Sequence, residues 1–155
     1  MKKKRIKVFG IAIGIVLFGL SGCTIRTPET ILKSMFGISL KNFDYTVEAF
    51  EEQGNFSDGR LLIVFKFNEL TNKNIDYLKG FNPQPLPFPE TERKQMDIND
   101  IPPRFLRAET GYYLYRVEKT KHTEREGLKW DRVSDFKIFI IDTENKLAVL
   151  YSQFG

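Results

Sequence analysis

Apolar positions recur along this chain with more than one period, and each period predicts a different element. Val8–Leu20 carries no charge, follows the basic stretch Lys2–Lys7, and ends in the small residues Ser21-Gly22. Over 28–36 the spacing is helical: Ile31, Leu32, Met35 and Phe36 share a face behind Thr27-Pro28-Glu29, with Gly37 as the stop. A hydroxyl cap, a proline at the first helical position and an acid in the first turn are what a helix start uses. The period then falls to two. Phe43, Tyr45, Val47 and Ala49 line one side of 43–50, and Leu61, Ile63, Phe65 and Phe67 oppose Leu62 and Val64 in 60–67. Turn residues between them (Glu51–Asn55, Asp58-Gly59) predict a hairpin. A second helix is expected over 71–79, with Ile75 and Leu78 inward and Gly80 at its end.

Phe81–Pro89 breaks the pattern. Prolines at 83, 85, 87 and 89 remove donors and fix φ, so this run is expected to be extended and outside any ladder. Residues 91–100 read as a polar, mobile stretch, and 100–106 as a single helical turn. Strands follow at Tyr112–Lys119, Phe136–Ile141 and Leu147–Ser152, with a charged loop at Lys121–Lys129 and a turn at Asp142–Asn145. The last two strands are apolar on both faces, where a sheet with one wet face would alternate. Their sheet must therefore be covered twice, once by the two helices and once by the proline-rich run or a partner. The expected fold is a single α+β domain over 28–155, with an antiparallel sheet of about five strands and two short helices in the order α-β-β-α-β-β-β.

Charge changes the picture at the N-terminus. Five of the 24 basic residues lie within 1–7 and none of the 20 acidic residues precedes Cys23. Without residues 1–22 the chain holds 19 basic and 20 acidic residues, a net charge of −1, so its charge gives no argument for nucleic acid. A basic start, an apolar run of about 13 residues and a small-residue site form an export signal, whereas a spanning helix needs about 20. Leu20-Ser21-Gly22-Cys23 resembles the lipobox of bacterial lipoproteins at every position. That resemblance covers the first two dozen residues. It implies cleavage before Cys23, a diacylglycerol thioether on its sulfur and acylation of the new N-terminus. On that reading 1–22 is a signal peptide, 23–27 a lipidated tether, and the membrane a partner through the lipid on Cys23. Two or more acyl chains anchor stably where one does not. The location implied is the outer side of the cytoplasmic membrane or the periplasmic face of an outer membrane. Thr24, in place of the acid that marks inner-membrane retention in that family, favours the second in a double-membraned host. Cys23 is the only cysteine, so an acylated form keeps no thiol for a disulfide.

Candidate chemistry is sparse. His122 is the only histidine, and a zinc site needs three or four converging ligands, so neither a metal nor another cofactor is expected. Asp97-Ile98-Asn99-Asp100 lacks the glycine and ligand positions of a calcium loop and reads as a cap and linker. No Gly-x-Ser-x-Gly elbow or phosphate-cradling glycine loop occurs. Pairs such as Asp131/Asp135 and Asp44/Glu48 are what any chain with this many acids offers. The chain reads as a non-enzyme. The candidate partner surface is Phe81, Pro85, Leu86, Phe88, Tyr112 and Trp130, although the proline-rich members are at least as well suited to lying over their own sheet. The expected role is a lipid-anchored, non-catalytic binding protein of the cell envelope, one version being an immunity-type inhibitor of an exported protein. Alternatives are a self-associating structural lipoprotein and, more remotely, a hydrolase using His122.

Overall fold

The computed structural model describes residues 26–55, 58–125 and 128–155. The expected signal segment, Cys23 and the start of the expected tether lie outside them. Among the described residues the fold is α+β, one antiparallel sheet of six strands with four helices, where the sequence pattern suggests about five strands and two short helices.

Helix α1 (Pro28–Phe36) forms as its caps dictate. Thr27 Oγ1 accepts from the Thr30 amide at 3.2 Å, and Gly37, at φ +79°, donates its amide to the Lys33 carbonyl. Strands β1 (Asp44–Asn55) and β2 (Asp58–Glu69) make the expected hairpin. The register slips between Val47 and Ala49, leaving Glu48 as the extra residue. This bulge corrects the simple alternation: Tyr45 packs on one face of the sheet and Ala49 on the other. Helix α2 (Asn72–Lys79) starts in a capping box between Thr71 and Asn74. Leu78 points inward and Ile75 is half-buried.

The proline-rich run joins the sheet, which corrects its placement outside any ladder. Strand β3 (Gln84–Pro85) pairs with Tyr113 and Tyr112, and the Leu86 amide donates to the Gly111 carbonyl at 3.1 Å. Proline is tolerated because β3 is the outermost strand, where no neighbour needs its missing donor. Two short helices follow, α3 (Glu90–Gln95) in the stretch read as mobile and α4 (Pro103–Leu106) in the expected helical turn. Strands β4 (Gly111–Arg125) and β5 (Leu128–Asp142) pair along most of their length, so within the expected charged loop at 121–129 the described residues 121–125 and 128–129 continue the ladder instead. Gly111 is required at its site: with φ +133°, a Cβ would lie 2.0 Å from the Ile141 carbonyl oxygen. Strand β6 (Leu147–Phe154) closes the sheet between β2 and β5, giving the order β1-β2-β6-β5-β4-β3.

Alternation on the central strands builds two cores. On one face Ile63, Phe65, Phe139, Ile141 and Leu150 pack under α1, α2 and the 38–43 segment. On the other, Val64, Phe136, Ile138, Val149 and Tyr151 pack under 86–108, including Leu86, Phe88, Met96, Ile101 and Phe105. Register also gives the sheet two ends. The β1–β2 turn and the end of β6 mark a proximal end; the start of β1, the end of β2 and the β5–β6 turn mark a distal end. Arg26, just before α1, pairs with Glu52 in the proximal half of β1 at 3.7 Å.

Candidate functional site

A cleft of about 620 Å³ lies at the distal end. Its walls come from the segment entering β1 (Ser39, Lys41, Asn42, Phe43, Asp44), from the exit of β2 (Glu69), and from α2 (Thr71, Lys73, Asn74, Tyr77). Local chemistry holds these pieces in place. Buried Asn74 accepts from Thr71 through Oδ1 and donates Nδ2 to the Asn42 carbonyl at 3.2 Å, tying the helix start to the loop. Tyr77 Oη accepts from the Ser39 amide at 3.0 Å, and its ring meets Phe43 edge-on at 5.9 Å. Asn68 Nδ2 donates to Asp44 Oδ1 at 2.8 Å. The result is a wall with two lysines, two carboxylates, amides, hydroxyls and two aromatic rings, within the usual size range of ligand pockets.

A second polar group sits at the proximal end. Tyr151 is fully buried, and its hydroxyl lies 3.4 Å from both the Asp97 carbonyl and Asp100 Oδ2. Arg60 bridges Asp97 and Asp100. Burial, reinforced by Asp100 and opposed by Arg60, pushes the Tyr151 hydroxyl up to about 12. Tyr151 therefore stays protonated and acts as a donor, which suits a brace between β6 and the 97–100 turn rather than a base. The small hollow beside it, about 110 Å³, is lined by Glu51, Gln53, Arg60, Leu62, Asp100 and Tyr151.

The residues expected to form a partner surface are dispersed. Leu86 and Phe88 are core residues, with Phe88 edge-on to Tyr113 at 4.9 Å, so they are not surface contacts. Pro85 is exposed on β3. Phe81 is half-buried and edge-on to Tyr77 at 5.3 Å, and half-buried Tyr112 has Lys79 Nζ 6.0 Å from its ring centre. Phe81 thus meets the cleft through Tyr77, whereas Pro85 and Tyr112 lie on β3 and β4, at the opposite edge of the sheet from β1 and β2. Trp130 pairs with Thr123, and His122 with Asp131, on the β4–β5 ladder beyond the proximal end. The ladder register carries His122 to the other end of the strands from the cleft. No group of three or more His, Cys, Asp or Glu side chains gathers among the described residues.

Comparison with family models, with characterised proteins and with solved structures finds no match to this chain.

Proposed function

We propose that the protein is a lipid-anchored, non-catalytic binding module of the cell envelope, and that its distal cleft receives a chain segment of an envelope or exported protein. The observation that carries this reading is the cleft itself. Its wall combines both charge signs, amide and hydroxyl partners and the Phe43 and Tyr77 rings, a mixture suited to the backbone and mixed side chains of a peptide. Two further features support it. Both sheet faces are filled by the chain's own residues, which leaves the ends and edges for contact. The lipobox cysteine stands only a few residues ahead of α1, so a lipid on Cys23 would hold the domain close to the bilayer.

Photo-crosslinking residues placed at Lys73 and Tyr77 in intact cells test the reading. A discrete adduct with another envelope or exported protein is the expected result, and the adduct from Tyr77 is expected to be lost when Lys41→Glu and Lys73→Glu are combined. An adduct of twice the chain's mass would instead favour self-association. No adduct from either position, with the protein at normal abundance, overturns the cleft as the binding site. The anchor is tested separately: labelled palmitate enters the wild-type chain and not Cys23→Ser.

A further inference from the structure

We propose that the two edges of the sheet bind each other between copies of this chain: the open edge of β1 adds, antiparallel, to the open edge of β4 in the next copy. The contact uses neither the distal cleft nor the anchor.

Both edges are open over long stretches. Strand β1 has β2 on one side, and among the described residues no strand pairs with its other side. Strand β3 covers β4 only at Tyr112 and Tyr113, so from Leu114 to Thr120 no strand pairs with the outer side of β4 among the described residues. Bare edges are commonly blunted by shortness, proline or lysine. β3 is two residues long and ends in Pro85, whereas β1 runs for twelve residues with neither Pro nor Lys. One bulge bends each open stretch, at Glu48 and near Glu118, which leaves Ala49–Gln53 and Leu114–Val117 in regular register. Of the five large apolar side chains exposed among the described residues, four lie on these edges: Val47 and Phe50 on β1, Tyr115 and Val117 on β4.

The faces decide how the edges meet. On β1, Val47 and Phe50 sit opposite Phe65 and Ile63, on the side of α1 and α2. Glu48 and Glu51 lie on the other side: Glu48 pairs with Arg104 of α4, and Glu51 sits opposite Leu62. On β4 the distribution is reversed. Tyr115 meets the Phe88 ring at 6.3 Å and Val117 sits opposite Phe136, both on the side of α3 and α4. Arg116 is on the α1 side, where it donates to the Met35 carbonyl and its guanidinium lies 5.3 Å from the Phe36 ring centre. Turning every second copy over therefore brings the four apolar side chains to one face, and sets Arg116 with Glu48 and Glu51 of the next copy on the other. It also makes the joined strands antiparallel, because β1 and β4 run in the same direction within one sheet.

Charge selects which edge meets which. A two-fold pairing of either edge with itself would match apolar side chains as well. Yet β1 carries Asp44, Glu48, Glu51 and Glu52 and no base, so β1 against β1 gathers acids. Pairing β4 with β4 brings Arg116 and Lys119 toward their own copies. Glu51 and Arg116 have no ion-pair partner among the described residues, and the head-to-tail contact supplies one to each. Such a contact is heterologous: it leaves a free edge at each end and extends into a row of copies. Main-chain hydrogen bonds along the new ladder supply affinity, and the side chains supply the choice of edge.

Native mass spectrometry of the full chain released from detergent reads the oligomers. The expected result is a ladder of dimer, trimer and larger species that lengthens with concentration. Phe50→Lys blocks one edge and Val117→Lys the other, both at exposed positions outside the two cores. Each variant alone should be monomeric, and the two mixed should give one-to-one dimers and nothing larger. Arg116→Glu should weaken the contact about five-fold, and adding Glu51→Arg to the same chain should restore it. Wild-type chain that is monomeric at every concentration overturns the proposal. Oligomers that persist in either single variant mean a two-fold contact or another surface, and overturn it as well. Neither failure touches the reading of the distal cleft.

Discussion

Ser152 shows how a single position can be read against its surroundings. It is 1 % exposed, lies in the row beneath α1, and its hydroxyl has no hydrogen-bond partner among the described residues. A buried donor left unmade costs about 1–3 kcal/mol, so Ser152→Ala is expected to raise stability by about 1 kcal/mol, read as a higher denaturant midpoint with an unchanged slope. Tyr151, next to it in sequence, carries its polar atom in the opposite situation. Its hydroxyl ordinarily titrates at 10.0 and is held up to about 12 in the fold. The folded state therefore retains a proton that the unfolded chain gives up. The contribution is complete below pH 10 and is lost as pH rises from 10 toward 12, an effect of about 3 kcal/mol. The stability difference between wild type and Tyr151→Phe should be flat below pH 10 and fall through that window. A difference that stays constant to pH 12 would contradict the role given to burial.

At the scale of elements, the proline-rich run separates what the sequence makes legible from what it hides. Four prolines in nine residues announce an extended segment; Gln84–Pro85 forms one, while Asn82 is left-handed and the chain bends at Leu86-Pro87. Their spacing does not announce that Leu86 and Phe88 are core, since alternation carried by two apolar residues looks the same over a sheet or on a surface. Phe88→Ala is expected to cost about 3–5 kcal/mol and Pro85→Ala less than about 1 kcal/mol, compared by denaturant midpoints. Near-equal losses would mean that the run clamps the sheet through its backbone. The helices α1 and α2 and the β1–β2 hairpin were legible because caps, turn residues and periods agree there. The Glu48 bulge was not, because an extra residue in a strand leaves composition untouched. The β4–β5 extension reads as a loop for a related reason: its apolar content is low, which leaves no hydrophobic period to find.

For the whole molecule, the order of strands decides both what could be foreseen and how the domain must assemble. The cleft was not legible at all, since its walls come from 39–44 and 69–77, brought together only when β1 and β2 pair and α2 folds back. The need for two covered faces was legible, because Phe139 and Ile140 cannot both be dry otherwise. The last strand in the chain occupies the middle of the sheet: β6 joins the β1–β2 hairpin to the β4–β5 pair and supplies Ala148, Val149, Leu150 and Tyr151 to the two cores, all fully buried. Ending the chain after Asn145 removes that strand. It would leave one face of Ile63 and Phe139 without neighbours in the sheet and open new edges on β2 and β5. A loss spread over four buried residues and two ladders exceeds the whole stability of a typical domain, about 5–15 kcal/mol. The truncated chain is expected to show no cooperative melt and no near-ultraviolet aromatic signal, and to be cleaved by protease at many sites. Retention of a sharp transition would mean that one hairpin and its helices form a self-sufficient core, which the sharing of both clusters across β2, β6 and β5 argues against.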